Sequence, residues 1–209
     1  MSARIAVIDY GMGNRRSVEK ALEHVGARAE ITRDHDALRA ADGLVLPGVG
    51  AFPRAMRNLA ELGLDDVIRE RVAAGVPLLG VCLGMQLLFE SSVELGGAAG
   101  LGLLPGTVTA LETRGARLPH IGWNLVTFGR ETPLNAELPA ASAFYHVHSF
   151  ACRPGDPADV LATAEYGERF VTAVARPPLY GVQFHPEKSS VHGLAMLGAF
   201  ARICAGVPA

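Results

Sequence analysis

Three apolar runs limit this chain more than any other feature: Ile5–Asp9 (IAVID), Gly43–Leu46 (GLVL) and Val76–Val81 (VPLLGV). None alternates apolar with polar residues, so none suits a strand with one wet face. Each must be covered on both sides. After the first run, Val18, Ala21, Leu22 and Val25 fall at i, i+3, i+4 and i+7, with Glu19, Lys20, Glu23 and His24 opposite. That pattern predicts an amphipathic helix over Ser17–Val25, stopped by Gly26. Helical patterns also fill Arg54–Leu62 and Asp65–Ala74. Buried strands separated by helices predict an α/β fold, a largely parallel central sheet flanked by helices.

The second half differs. Thr107–Leu111, Gly122–Phe128, Ala143–Phe150, Val160–Ala164, Arg169–Ala175 and Tyr180–Phe184 read as short strands separated by Pro, Gly and charged turns, which predicts added antiparallel strands. Ser189–Cys204 returns to a helical pattern, with Leu194, Leu197, Ala201 and Cys204 along one stripe. No repeat or long linker divides residues 1–209, so one domain is expected.

Composition narrows the function classes. A net charge of −2 without a basic stripe disfavours nucleic acid. No run reaches the ~20 apolar residues of a membrane span, and the first apolar run is too short for a signal peptide. The three cysteines, Cys82, Cys152 and Cys204, are scattered, with neither a disulfide framework nor metal spacing. A soluble, reducing, cytoplasmic setting is the expectation.

One cysteine is placed unlike the others. In Gly80–Glu90 (GVCLGMQLLFE), Cys82 lies between Gly80 and Gly84, where the third run must turn sharply into a second apolar run, MQLLF. In parallel α/β sheets ligands bind beyond the carboxyl ends of strands, and a G-x-C-x-G turn exposes a nucleophile there as the G-x-S-x-G elbow does. N–H groups of a following helix would favour a thiolate and an oxyanion. The same residues also suit a buried structural cysteine. A nucleophile needs a base, and Gly181–Ser190 (GVQFHPEKSS) supplies His185 at another strand end, with Glu187 two residues on. In an extended segment both would project to one side, Pro186 keeping the backbone out of a helix, so Glu187 could fix the imidazole tautomer. Alone, HPE also reads as a solvated loop.

Together these residues resemble the class I glutamine amidotransferases over almost the whole chain. The segments DYGMGN (Asp9–Asn14), LPGVGAF (Leu46–Phe52), GVCLGMQLL (Gly80–Leu88), PHIGWN (Pro119–Asn124), YHVHSF (Tyr145–Phe150) and GVQFHPEKS (Gly181–Ser189) are similar to the branch serving imidazole glycerol phosphate synthesis, in histidine biosynthesis. One departure is Phe150, where the family usually has Tyr.

The resemblance implies a flavodoxin-like sheet and a Cys82–His185–Glu187 triad that hydrolyses glutamine through a glutamyl thioester, with no cofactor. It implies oxyanion donors at Leu83 and in Gly48-Val49-Gly50, and glutamine contacts at Gln86, Ser149 and Phe150. It also implies a partner, a separate (β/α)8-barrel cyclase subunit in a 1:1 heterodimer that receives the ammonia, with Asn14, Trp123 and Lys188 as docking candidates. An amidotransferase serving another synthase, a hydrolase for another amide or ester, and a non-enzymatic module with the same fold are the competing classes. His146-x-His148 alternates like two ligands on one strand face but lacks a third ligand nearby, so hydrogen-bonded strand histidines are expected. Cys152 and Cys204 read as packing residues, Arg69–Arg71 as solvated helix face, and Trp123 as core filler or as part of the site mouth.

Overall fold

The computed structural model describes residues 2–206. Its first half alternates strand and helix: β1 (Arg4–Ile8), α1 (Arg15–His24), β2 (Arg28–Thr32), α2 (His35–Ala40), β3 (Gly43–Gly48), α3 (Phe52–Glu61), α4 (Leu64–Ala73) and β4 (Leu78–Cys82). A short helix α5 (Leu83–Leu87) comes next, then β5 (Phe89–Ser92), β6 (Ala98–Ala99), β7 (Leu104–Ala110), β8 (His120–Phe128), β9 (Ala141–His148), β10 (Phe150–Pro154), β11 (Val160–Tyr166), β12 (Glu168–Arg176), β13 (Leu179–Val182) and α6 (Ser190–Cys204).

The centre is a parallel sheet in the order β2-β1-β3-β4-β13. Successive residues of one strand feed two separate cores. Ile5 and Val7 of β1 pack with α1 and α6, while Ala6 and Ile8 pack with α2, α3 and α4. That division explains why the apolar runs are continuous: both faces are dry. Beyond β13 the sheet continues through antiparallel β12 and β10, and a branch β12-β11-β8-β9 runs antiparallel throughout.

Several expectations need correcting. The second half is not wholly antiparallel, since β13 pairs parallel with β4 and fills the fifth central place, and β5 pairs parallel with β7. β2 and α2 were not expected. β2 is an edge strand, RAEIT, whose charged residues stay wet and hide the apolar signal. The apolar run after Cys82 is not one helix: α5 spans five residues before the chain turns into β5. The expected strand Ala143–Phe150 is broken at Ser149, between β9 and β10. The buried face of α6 is carried by Gly193, Met196, Leu197, Phe200 and Cys204, with Leu194 and Ala201 only half-buried.

Register brings the functional strand ends together. Gly48 lies opposite Cys82 across β3 and β4, and Val182 lies opposite Val81 across β13 and β4. The chain beyond β13 therefore continues past the residue that ends β4.

Candidate active site

Cys82 caps α5 with φ 56° and ψ −112°. A residue with a Cβ adopts positive φ only when its surroundings enforce it. The enforcing contact is the packing of α5 on β3: a Cβ on Gly84 would collide with the Leu46 carbonyl, so Gly84 is required for close approach. Across the turn, Gly50 holds φ +109°, which requires glycine. This brings the Val49–Gly50 backbone to the site, while the first turn of α5 leaves its leading N–H, that of Leu83, without an intrahelical partner.

Cys82 is 5% exposed and its Sγ has two polar neighbours at the same distance. The thiol donates to the Val147 carbonyl at 3.7 Å, and Gln183 Nε2 donates to the sulfur at 3.7 Å. His185 lies three residues beyond β13. Its backbone is pinned to β9 twice: its N–H donates to the Tyr145 carbonyl at 2.9 Å, and Ser189 Oγ donates to its carbonyl at 2.6 Å while accepting from Tyr145 N–H at 3.0 Å. His185 Nδ1 donates to Glu187 Oε1 at 2.9 Å, with both side chains almost fully buried. That bond leaves Nε2 for the cysteine. Pro186–Lys188 form one 3₁₀ turn rather than the extended segment expected, because Pro186 suits the first position of a turn. The His185–Glu187 contact closes through the turn instead. Burial opposes the imidazolium, but hydrogen bonds and charge from Cys82 and Glu187 outweigh it and raise the His185 pKa to about 10. The resting site thus favours a proton on His185.

A pocket of about 300 Å³ opens onto these groups. Val49, Gly50, Leu83 and Gln86 line it together with Ser149, Phe150, Cys82 and His185, and Lys188 lines it too. Sequence reasoning missed four residues here: Glu94, Pro119, Val147 and His148. Glu94 is half-buried and its Oε2 accepts from Phe52 N–H at 2.8 Å. It sits in an irregular turn far from any motif, so no local signal marks it. A larger cleft of about 410 Å³ lies against β2 and α2 and is lined by neither cysteine nor histidine.

Other expected positions fall as described next to their partners. Gln86 is 5% exposed. Its Nε2 donates to the Phe150 carbonyl at 3.2 Å and to Gln183 Oε1 at 3.0 Å. The Ser149 carbonyl accepts from Leu111 N–H at 2.9 Å, so the carbonyls of Ser149 and Phe150 already hold protein donors. Asn14, expected on the docking face, is half-buried and its Nδ2 donates to Glu187 Oε1 at 3.3 Å. Lys188 is exposed at the pocket. Trp123 is 56% exposed, so it is not core filler. His146 is held by the Phe144 carbonyl and the Thr172 hydroxyl, and His148 by the Phe150 carbonyl and His120. Among the described residues no group of three His, Cys, Asp or Glu could hold a metal ion. Burial, aided by neighbouring histidines, lowers His146 to about 2; burial lowers His148 to about 4 despite its bond to Phe150. Cys152 and Cys204 are buried among apolar residues, and burial raises both thiols, Cys204 to about 12. Arg69 pairs with Asp65 and Asp66 on the α4 surface, but Arg71 is half-buried and donates to the Ala41 carbonyl, so that stretch is only partly a solvated face. Among the described residues no helix is long and apolar enough to cross a membrane.

Comparison with known proteins agrees with this geometry. Residues 6–203 match the family model for glutamine amidotransferase class-I. The chain is 51% identical over 199 residues to the imidazole glycerol phosphate synthase subunit HisH of Moorella thermoacetica, covering 95% of this chain and 94% of that one. The protein of the same name from Symbiobacterium thermophilum is 50% identical over 201 residues, covering 96% and 94%. The structure of PurLQS from Thermotoga maritima shares the fold, with a TM-score of 0.75 at 19% identity over 99% of both chains. On these grounds the chain belongs to the class I glutamine amidotransferases, in the family of HisH subunits of imidazole glycerol phosphate synthase.

Proposed function

We propose that this chain is the glutaminase subunit of an imidazole glycerol phosphate synthase, one domain over residues 1–209 that releases ammonia from glutamine for a separate cyclase subunit. The observation that carries the reading is the meeting, in one pocket, of a cysteine on a strained turn with a histidine whose far nitrogen is fixed by a buried carboxylate.

The geometry supports the following steps. Cys82 Sγ attacks the side-chain amide carbon of glutamine, and the carbonyl oxygen takes the negative charge. Leu83 N–H, with a donor from Val49 or Gly50, stabilises that oxyanion. His185 gives its proton to the amide nitrogen, the C–N bond breaks and ammonia leaves. The remaining glutamyl thioester carries no charge on sulfur, so part of what raised the His185 pKa is gone. Neutral His185 can then take a proton from water, whose oxygen attacks the thioester. The C–S bond breaks, glutamate leaves, and Cys82 and His185 return to their starting states. Glu187 orients His185 throughout, and Asn14 holds Glu187. Glu94, a carboxylate lining the pocket with its Oε2 held by Phe52 N–H, is the charge partner for the substrate α-ammonium. That leaves Ser149-Phe150 to serve the α-carboxylate, which agrees with a Phe150 whose ring needs no hydroxyl.

Ammonia released into water at neutral pH is protonated and lost to the synthase. A partner must therefore receive it at the pocket. We assign that role to a (β/α)8-barrel cyclase in a 1:1 heterodimer, working in the cytoplasm, which makes imidazole glycerol phosphate and aminoimidazole carboxamide ribotide. An exposed apolar strip on β8 supports the assignment: Ile121, Trp123 and Leu125 are 59%, 56% and 57% exposed, and Val147, the cross-strand partner of Ile121, also lines the pocket. Trp123 and Lys188 are the expected docking residues. The test is glutamate release by the chain alone and with the cyclase, each with and without the nucleotide acceptor, with Cys82→Ala as control. Activity mainly with partner and acceptor, abolished in the control, is expected. High activity of the isolated chain overturns the gating, and activity that survives Cys82→Ala overturns the nucleophile.

A further inference from the structure

Gln183 touches the nucleophile but belongs to no triad. It is fully buried one residue beyond β13, where the β13–β4 register sets it against Cys82. Which end of its amide faces the sulfur is set by its partners. The Phe150 carbonyl can only accept, so the Gln86 atom 3.2 Å from it is the NH2 group. An NH2 group can only donate, so the Gln183 atom 3.0 Å from it is the carbonyl oxygen. The Gln183 NH2 group is therefore the end turned to Sγ, 3.7 Å away.

A second set of bonds converges on the same carbonyl. Phe150 O also accepts from His148 Nδ1 at 2.8 Å, which makes His148 Nε2 an acceptor for His120 Nδ1–H at 2.9 Å. His120 Nε2 then accepts from Asn124 Nδ2 at 3.3 Å, and Asn124 also donates to the Glu165 carbonyl at 2.9 Å. Burial lowers the pKa of both His120 and His148, which keeps these rings neutral and their tautomers fixed. Phe150 O, which can only accept, takes one donor from each side, and through Gln86 it fixes the Gln183 amide with its NH2 group toward the sulfur.

We propose that Gln183 is a further catalytic residue, a preorganised N–H donor that holds the Cys82 sulfur in its ionised form and in line for attack. The Val147 carbonyl accepts from S–H and so favours the thiol, whereas Gln183 donates and so favours the thiolate. The donor acts twice, on the attacking sulfur and again when the C–S bond of the thioester breaks and the electron pair returns to sulfur. It costs no reorganisation at either moment. The proposal rests on Cys82 being the nucleophile.

The experiment is site-resolved alkylation of Cys82 by iodoacetamide, read by mass spectrometry across pH, in the full-length chain and its Gln183→Leu and Gln183→Glu variants. Circular dichroism confirms that each is folded. At neutral pH Gln183→Leu is expected to alkylate about tenfold more slowly, its pH profile displaced upward by about one unit, the scale of one charge-assisted hydrogen bond. Gln183→Glu keeps the shape but turns an acceptor toward the sulfur, so its profile is displaced further. Superimposed profiles, or a Glu variant shifted less than the Leu variant, overturn the proposal and leave Gln183 as packing. Glutamate release with the partner, measured on the same samples, keeps the two readings apart. An inactive wild type sinks the nucleophile, whereas an active wild type with superimposed profiles sinks Gln183 alone.

Discussion

The strain at Cys82 predicts an inverted order of stability between two variants. Its φ of 56° and ψ of −112° cost a residue with a Cβ about 1–3 kcal/mol, a cost glycine escapes. Replacing Ala by Gly at an ordinary position does the reverse and destabilises by about 0.5–1 kcal/mol, because glycine loses more freedom on folding. Cys82→Ala and Cys82→Gly both remove Sγ with its contacts to Val147 and Gln183, so those losses cancel in the comparison. What remains is strain relief against backbone entropy, and taking the middle of each range leaves Gly ahead by about 1 kcal/mol. For a domain of this size that is about 2–4 °C in Tm. Calorimetry gives Tm, and urea titration gives the difference where the two m-values agree. The proposed mechanism expects both variants to be inactive, so only stability is read. An Ala variant as stable as the Gly variant, or more so, refutes the strain and with it the claim that α5 packing on β3 forces the turn.

The same geometry fixes three further outcomes. Gly84→Ala drives a Cβ into the Leu46 carbonyl, so α5 must lift from β3; a loss of about 2–3 kcal/mol in urea titration and about 10²-fold in partner-stimulated glutamate release is expected, and near-wild-type values in both exclude the close-approach argument. Glu187→Gln keeps the shape but offers His185 Nδ1 an amide, which favours the wrong tautomer; glutamate release should fall by about 10²–10⁴-fold while the chain stays folded, and a loss under tenfold would remove Glu187 from the mechanism. The histidines set two pH windows of opposite sign. His185 binds its proton more tightly folded than unfolded, so its contribution is complete below about pH 6.5 and is lost as pH rises through about 10. His146 and His148, lowered to about 2 and about 4, bind protons more tightly when unfolded, so stability is present above the unfolded pKa and lost as pH falls, toward about 4 for His148 and about 2 for His146. Tm measured from acid to alkaline pH should fall at both ends. His185→Asn should remove the part of the alkaline loss that begins at about pH 6.5 and leave the part above about 8.5, where the raised Cys152 and Cys204 thiols act; an unchanged profile between those two values contradicts the assignment.

Much of this was legible because the relevant signals are local. Continuous apolar runs marked β1, β3 and β4, and glycines around a cysteine marked the elbow. The features that escaped depend on distant partners. β2 pairs at an edge, so Arg28 and Glu30 stay wet and its sequence looks like a loop. The run after Cys82 is apolar enough for a longer helix. Its end is fixed instead by the segment at Leu101–Leu104, whose N–H groups take the carbonyls of Leu87, Leu88 and Phe89. No periodicity reports such a contact. The parallel return of β13 escaped because GVQF reads the same in either direction of pairing. Glu94 and Gln183 escaped because each acts on a residue far away in the chain, and neither residue type is unusual where it stands.

The hairpin of β8 and β9 explains why a docked partner could act on the triad without a long route. Trp123 lies opposite Tyr145 in register, and their rings meet edge to face at 6.2 Å. The Tyr145 backbone is the one that holds His185 N–H and Ser189 Oγ. A surface pressed against Trp123 therefore bears on a residue one hydrogen bond from His185, the proposed base. Trp123→Ala tests this, because Trp123 bonds to no member of the triad. Truncating a central aromatic at an interface costs about 2 kcal/mol or more, equivalent to about a 30-fold weaker Kd for the cyclase. The glutamate release of the isolated chain should stay at its wild-type level, and stimulated release should recover only in part when the cyclase is saturating, since the push on Tyr145 is gone even when the complex forms. Full recovery at saturation would make Trp123 an anchor and nothing more, and unchanged affinity would move the docking face away from β8.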